Sequence, residues 1–160
     1  MGMDRVDEGA VTVSPEEAYR EHRVALLRLA YLVGASRELA EDVVQAAFAT
    51  AQPRWDQVED ALPYLKRAVI NQVKDDQRRW YRSQRHTAVH EAPPPHALPP
   101  EVDETWGVIS SLPWHQRAVV VLHYYEDLPL NEVAQFLRRP ASTVRSDHRR
   151  ALERLRKALR

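Results

Sequence analysis

The chain has 160 residues, 44% of them hydrophobic, with 23 basic and 23 acidic side chains in balance and no cysteine. That size allows one ordinary domain or two small ones, and the missing thiols exclude a disulfide framework or cysteine-ligated zinc and fit a reducing cytoplasm. No apolar run nears the ~18 residues that span a bilayer, and the acidic start MGMDRVDEGAVTV lacks the features of a signal peptide, so a cytoplasmic protein without membrane insertion is expected.

Four glycines and no strongly alternating segment point to an all-α fold. Residues 1–13 are polar and aperiodic and read as a disordered tail. Ser14-Pro15-Glu16-Glu17 then marks a helix start, with serine as N-cap, proline at the first position and glutamate at the third. Tyr19, Val24, Leu26, Leu27, Ala30 and Tyr31 carry that helix to Gly34, which ends it. A second helix opens at Ser36 and runs to Pro53. Leu39, Val43, Ala46, Ala47 and Ala51 suit its buried face; Glu38, Glu41, Asp42 and Gln45 form an acidic one, either solvated or a docking surface for a basic partner.

A loop holding Trp55 follows, with Asp60 placed to cap a third helix from about Pro63 to Arg82. Leu65, Ala68, Val69, Ile70 and Val73 are its core candidates. Its second half turns basic and aromatic: Trp80 and Tyr81 stand among Arg78, Arg79, Arg82 and Arg85. Arginines bind phosphates and flat rings stack on bases, although Trp80 could equally cover the core end with cation–π help. Periodicity then fails. Five prolines between Pro93 and Pro100 make 86–102 a semi-extended linker, and its His86, His90 and His96 have no fixed metal geometry.

Beyond the linker, VDETWGVISSL reads as one helix and Pro113 starts another, with Trp106, Ile109, Leu112, Val119, Val120, Leu122 and Tyr125 as core. Leu130, Val133, Ala134 and Leu137 share one side of a short helix, and Pro140 forces a turn. Ser142 or Thr143 can cap a last helix running from about Thr143 to the C-terminus. Val144, Ala151, Leu155 and Leu159 would pack inward while Arg145, Ser146, Arg149 and Arg150 point outward. Two helices joined by a tight turn, the second exposing arginines near its start, have the layout of a DNA-reading helix-turn-helix. From Arg138 onward there are nine Arg or Lys against only Asp147 and Glu153, so charge is segregated in a neutral chain. The organisation expected is two small helical domains, 14–85 and 103–160. No phosphate-cradling glycine loop, HExxH or nucleophile elbow is present, and neither catalysis nor a cofactor or metal is expected.

The order of these motifs resembles an RNA polymerase sigma factor of the extracytoplasmic-function (ECF) group in the bacterial sigma-70 family, over nearly everything after residue 14. AEDVVQAAF (40–48) resembles the helix that docks on the clamp helices of the polymerase largest subunit, and YLKRAVINQVKDDQRR (64–79) the helix that engages the −10 promoter element. SLPWHQRAVVVLHYYEDLPLNEVAQFL and STVRSDHRRALERLR resemble the domain that binds the −35 element. The resemblance implies that Glu41, Asp42 and Gln45 hold polymerase, with the flap a second contact. It implies that Asn71 helps read a flipped −10 base in a pocket formed by the Trp55–Pro63 loop, with Lys74, Arg78, Arg79 and Trp80 around it. Ser142, Thr143, Arg145, Ser146, Arg149 and Arg150 would read and grip the −35 duplex. An anti-sigma factor is a further implied partner. Two departures stand out: Ser142 replaces a usual glycine, and Asp147-His148 replaces a usual Arg-Leu pair. Asp147 could weaken the backbone grip or accept from a cytosine amine, and His148 reads as a partly buried neutral ring. A dimeric operator-binding regulator would use a similar helix-turn-helix.

Overall fold

The fold was obtained as a computed structural model that describes residues 13–34, 36–84 and 104–160. Every regular element among those residues is helical. The expected linker, 86–102, and nearly all of the expected tail lie outside them, as do the side chains of Trp80, Tyr81 and Trp106.

Helix α1 spans Pro15–Val33 and starts as its sequence dictates, with the Ser14 hydroxyl accepting from the Glu17 N–H at 3.2 Å. It ends at Gly34, whose φ of +132° and close neighbours both call for glycine: a Cβ there would sit 3.2 Å from Trp114 Cδ1 and 3.3 Å from Gln77 Nε2. Helix α2 (Arg37–Ala51) is capped the same way, by Ser36 on the Leu39 N–H. A 3₁₀ segment, Gln52–Gln57, occupies the Trp55 loop, and α3 (Ala61–Gln84) begins two residues before Pro63. These three helices pack on one another around Leu26, Leu29, Val44, Leu65, Val69 and Ile70.

In the second half α4 covers Glu104–Ser111 and α5 Trp114–Val120, after which Val121–Tyr125 continues as a widened π turn closed by the Glu126 N–H on the Val121 carbonyl. Helix α6 (Leu130–Leu137) and helix α7 (Ala141–Ala158) form the helix-turn-helix. Val119, Leu122, Val133, Leu137, Val144 and Ala151 are buried between α5, α6 and α7.

Several side chains depart from the pattern. Leu39 is 53% exposed, Tyr125 43% and Leu159 56%, although each falls in a register that suited the core; Val24 is also exposed. Leu159 lies past the end of α7, at its C-cap. Val13, placed by composition in a loose tail, is half-buried against the core.

The buried residues of both halves form one continuous cluster, and the seam between them is largely polar. The Arg117 guanidinium donates to the Leu32 and Tyr31 carbonyls at 2.8 and 3.0 Å, at the negative end of α1. Burial pushes its pKa down to about 10. Lys66 pairs with Glu126 at 2.5 Å, Lys74 donates to the Leu137 carbonyl at 3.2 Å, and Arg67 lies over the Phe136 ring at 5.3 Å.

Candidate nucleic-acid interface

The turn into α7 is set by backbone rather than by a side-chain cap. Arg138 ends α6 in the left-handed region at φ +53°, the Arg139 N–H returns to the Ala134 carbonyl, and Pro140 occupies the N-cap position. The helix therefore starts at Ala141, and neither Ser142 nor Thr143 caps it. That corrects the sequence expectation. The consequence favours recognition: both hydroxyls lie within the first turn, Ser142 exposed and Thr143 half-buried, and are not spent on the helix's own N–H groups.

Val144 and Ala151 are fully buried and fix the rotation of α7 about its axis. That rotation exposes Arg145, Arg149 and Arg150 and leaves Ser146 half-buried. None of the three arginines forms an ion pair with a described residue. Arg138, exposed in the turn beside them, extends the cationic surface. It was missed as a site residue because it reads as part of a helix terminator.

Asp147 does not face outward. It is 7% exposed, in the same register as Val144 and Ala151, and its carboxylate takes the Arg139 guanidinium at 2.5 Å. Neither a base contact nor a direct repulsion of phosphate fits that position. His148 is half-buried, as expected, with Nε2 at 3.0 Å from the Tyr124 hydroxyl. Burial, and secondarily His123, lower its pKa. The His123 Nδ1–H donates to the Leu128 carbonyl at 2.7 Å, and the two imidazoles meet edge to face with centroids 5.3 Å apart.

The second basic surface lies on α3. Arg78 and Arg79 are exposed and Asn71 is half-buried. Lys74, however, is engaged on the end of α6, and its pKa is lowered by burial first and then by Arg78, Arg139 and Arg138. Trp55 is half-buried and packed against the core, with its indole N–H donating to the Val13 carbonyl at 2.9 Å.

On α2, Asp42 and Gln45 are exposed, whereas Glu41 is half-buried and paired with Arg23 of α1. The acidic face is thus narrower than its sequence implies, and exposed Leu39 adds an apolar component to it. Sequence reasoning assigned Leu39 to the core because it shares the register of Val43 and Ala47. Among the described residues no group of three or more His, Cys, Asp or Glu could hold a metal, and no helix is long and apolar enough to cross a membrane.

Comparison with known proteins matches both halves in order. The model of Sigma-70 region 2 covers residues 18–86 and that of Sigma-70 region 4 covers residues 108–157. An RNA polymerase sigma-E factor of Streptomyces coelicolor is 34% identical over 154 residues, 90% of this chain and 85% of that protein. One from Streptomyces avermitilis is 32% identical over 157 residues, 90% and 84% of the two chains. The fold is similar to that of the sigma factor RpoE from Bartonella quintana in complex with the anti-sigma factor NepR, at a TM-score of 0.68, 19% identity and coverage of 90% and 95%. It is also similar to CnrH in complex with the cytosolic domain of CnrY, at a TM-score of 0.59, 22% identity and coverage of 91% and 86%.

Proposed function

The chain belongs to the sigma-70 family as an extracytoplasmic-function RNA polymerase sigma factor, and from that premise we propose how its surfaces divide the work. It binds core polymerase and promoter DNA and acts in promoter recognition and transcription initiation. It is an initiation factor, and everything it contributes is binding energy placed where the polymerase needs it.

Asp42 and Gln45, with Leu39 beside them, hold the clamp helices of the largest subunit. Glu41 serves chiefly to lock α2 against α1 through Arg23. Arg78 and Arg79 attract the −10 region, Asn71 reads a base extruded from the stack, and the Trp55 loop with Trp80 supplies ring faces for it. Extrusion costs a few kcal/mol of stacking, so the site must offer that much in return. Ser142, Thr143, Arg145, Ser146, Arg149 and Arg150 grip the −35 duplex. Residues 14–85 and 103–160 act as separate units on the two elements, joined by 86–102, in the cytoplasm. Lys74 reaches DNA only after leaving the Leu137 carbonyl, so the two units must part on the promoter. A protein inhibitor that holds them together, in the manner of an anti-sigma factor, would be effective for that reason.

The observation that carries this reading is the outer face of α7, where three arginines are exposed by a rotation that Val144 and Ala151 fix from beneath. Transcription from a library of promoter fragments by core polymerase plus the purified chain tests it. Start sites sharing two spaced elements are expected, and Asp42→Ala with Gln45→Ala should weaken polymerase binding. Specific duplex binding without polymerase, together with unchanged polymerase affinity in that double variant, would replace this reading with that of an operator-binding regulator.

A further inference from the structure

Asp147 and Arg139 have a role that the reading of α7 as a duplex-binding helix does not by itself supply. The packing face of α7 runs through Val144, Asp147 and Ala151, and the two flanking residues are completely buried. A carboxylate in such a row is costly unless a cation reaches it. Here the cation comes from the turn, eight residues upstream: Arg139 Nη1 meets Asp147 Oδ2 at 2.5 Å, and both side chains are largely covered.

Arg139 has little freedom in where it starts. Its N–H is bonded to the Ala134 carbonyl, Arg138 before it is held left-handed, and Pro140 after it has a restricted φ. From that anchored backbone an arginine immediately before a recognition helix is within reach of the phosphates that the helix approaches. A carboxylate and a phosphate engage the same fork of guanidinium donors. Asp147 therefore competes with DNA for Arg139, and holds it by proximity before any DNA arrives. Arg138, one residue earlier, has no such partner among the described residues and stays exposed.

We infer that Asp147 is a specificity-determining residue: it stands in for a phosphate on Arg139, removing one sequence-independent contact from the −35 interface while tying the turn to the recognition helix. Contacts to phosphate raise affinity for every sequence equally. Withholding one lowers binding to random DNA and leaves the contacts of Arg145, Ser146, Arg149 and Arg150 unchanged, so the ratio of specific to non-specific binding rises. The surroundings make the arrangement useful, because Lys74, Arg78 and Arg138 already crowd positive charge near this turn.

The test is fluorescence anisotropy of the full chain on a random-sequence DNA duplex, titrated across about 50–200 mM salt, a range over which phosphate contacts dominate the affinity. Asp147→Asn or Asp147→Ala should steepen the plot of log affinity against log salt by about 0.9, the value of one added phosphate contact. At about 0.1 M salt that is a several-fold gain in random-sequence binding. Arg139→Ala alone should leave the slope as it was, and Arg139→Ala combined with Asp147→Asn should cancel the gain. A purely structural pair predicts otherwise: weaker binding, lower helicity and an unaltered slope in the Asp147 variants, which would overturn the inference. So would a flatter slope in Arg139→Ala at unchanged helicity, since that would show Arg139 already on phosphate; the double variant, which leaves no carboxylate buried without its cation, gives the same reading where the single one loses helicity. Arg149→Ala with Arg150→Ala serves as the control. If it flattens the slope while both single sites do nothing, the inference fails and the duplex-binding reading stands; if the unmodified chain shows no salt-sensitive binding, both fail.

Discussion

Helices α3 and α7 are both basic and both candidates for touching DNA, yet the structure treats them differently. On α7 the arginines are displayed: Arg145, Arg149 and Arg150 are exposed and the apolar side is sealed beneath them. On α3 the cations nearest the second half are occupied, Lys66 by Glu126, Arg67 by the Phe136 ring and Lys74 by the Leu137 carbonyl. One surface is preformed and the other is conditional. The difference teaches that burial pattern alone does not decide which basic helix is available; the other half of the same chain does.

The largest effect should come from breaking the preformed side. Replacing both Arg149 and Arg150 by alanine removes two contacts worth ~1–3 kcal/mol each, and promoter binding by the reconstituted holoenzyme should fall by at least tenfold. Circular dichroism should be unchanged, because neither residue supports the fold. A variant holoenzyme that bound as well as the original would show that α7 is not the −35 reader.

Arg117→Ala attacks the seam that makes α3 conditional. The Leu32 carbonyl at the end of α1 loses its donor, while the Tyr31 carbonyl keeps the Gly34 N–H, and an unsatisfied buried acceptor costs ~1–3 kcal/mol. A lower melting temperature is expected, with Arg117→Lys recovering part of it since one ammonium can serve one carbonyl well. An unchanged melting temperature would mean that water replaces the guanidinium without penalty and that the seam is looser than drawn.

Lys74→Ala sharpens the comparison more gently. In the free chain a single neutral acceptor loses its partner, about 1 kcal/mol or less, so stability should barely move. In the holoenzyme on promoter DNA, if the halves part as proposed, the salt slope should become shallower by about 0.9. The same slope in both proteins would place Lys74 off the DNA path.

What could be read in advance followed from local physics. Ser14, Pro15, Gly34 and Ser36 mark helix ends because a cap depends on residues within three positions of itself, and Pro140 marks the turn for the same reason. The cap at Ser142 failed on one detail: proline itself can sit at the N-cap, which starts the helix two residues sooner. Non-local facts stayed hidden. The register of Leu39 suits the core, but nothing in α2 says that no helix lies over its first turn. Trp55 looks free until Val13 arrives from 42 residues away. Asp147 is the instructive case, since its register with Val144 and Ala151 was legible. Its charge argued for the outer face, and only the position of Arg139 settles the conflict.

The smallest effect concerns pH, and it reaches both sides of the comparison. His148 lies on α7, with His123 and Tyr124 against it; His115, on α5 beside the seam, is in the field of Arg139, Lys74 and Arg78, partly offset by Asp147. For both rings burial is the main cause of a lowered pKa. With the folded value below the unfolded one, the unfolded chain binds more protons in the interval between them, so stability rises with pH there. The contribution is complete above the ordinary histidine value of 6.5 and is lost as pH falls from that value toward the folded ones. The melting temperature should therefore be modestly lower at a pH of about 5.5 than at about 7.5, straddling the ordinary histidine range. Carboxylates contribute to any such difference, so the informative quantity is its change on substitution. His148→Gln should shrink the gap by keeping a polar partner for Tyr124 without a titrating ring, and adding His115→Gln should shrink it further. If the gap is the same in all three proteins, protonation of these rings does not oppose the fold, and their neighbours offset the effect of burial.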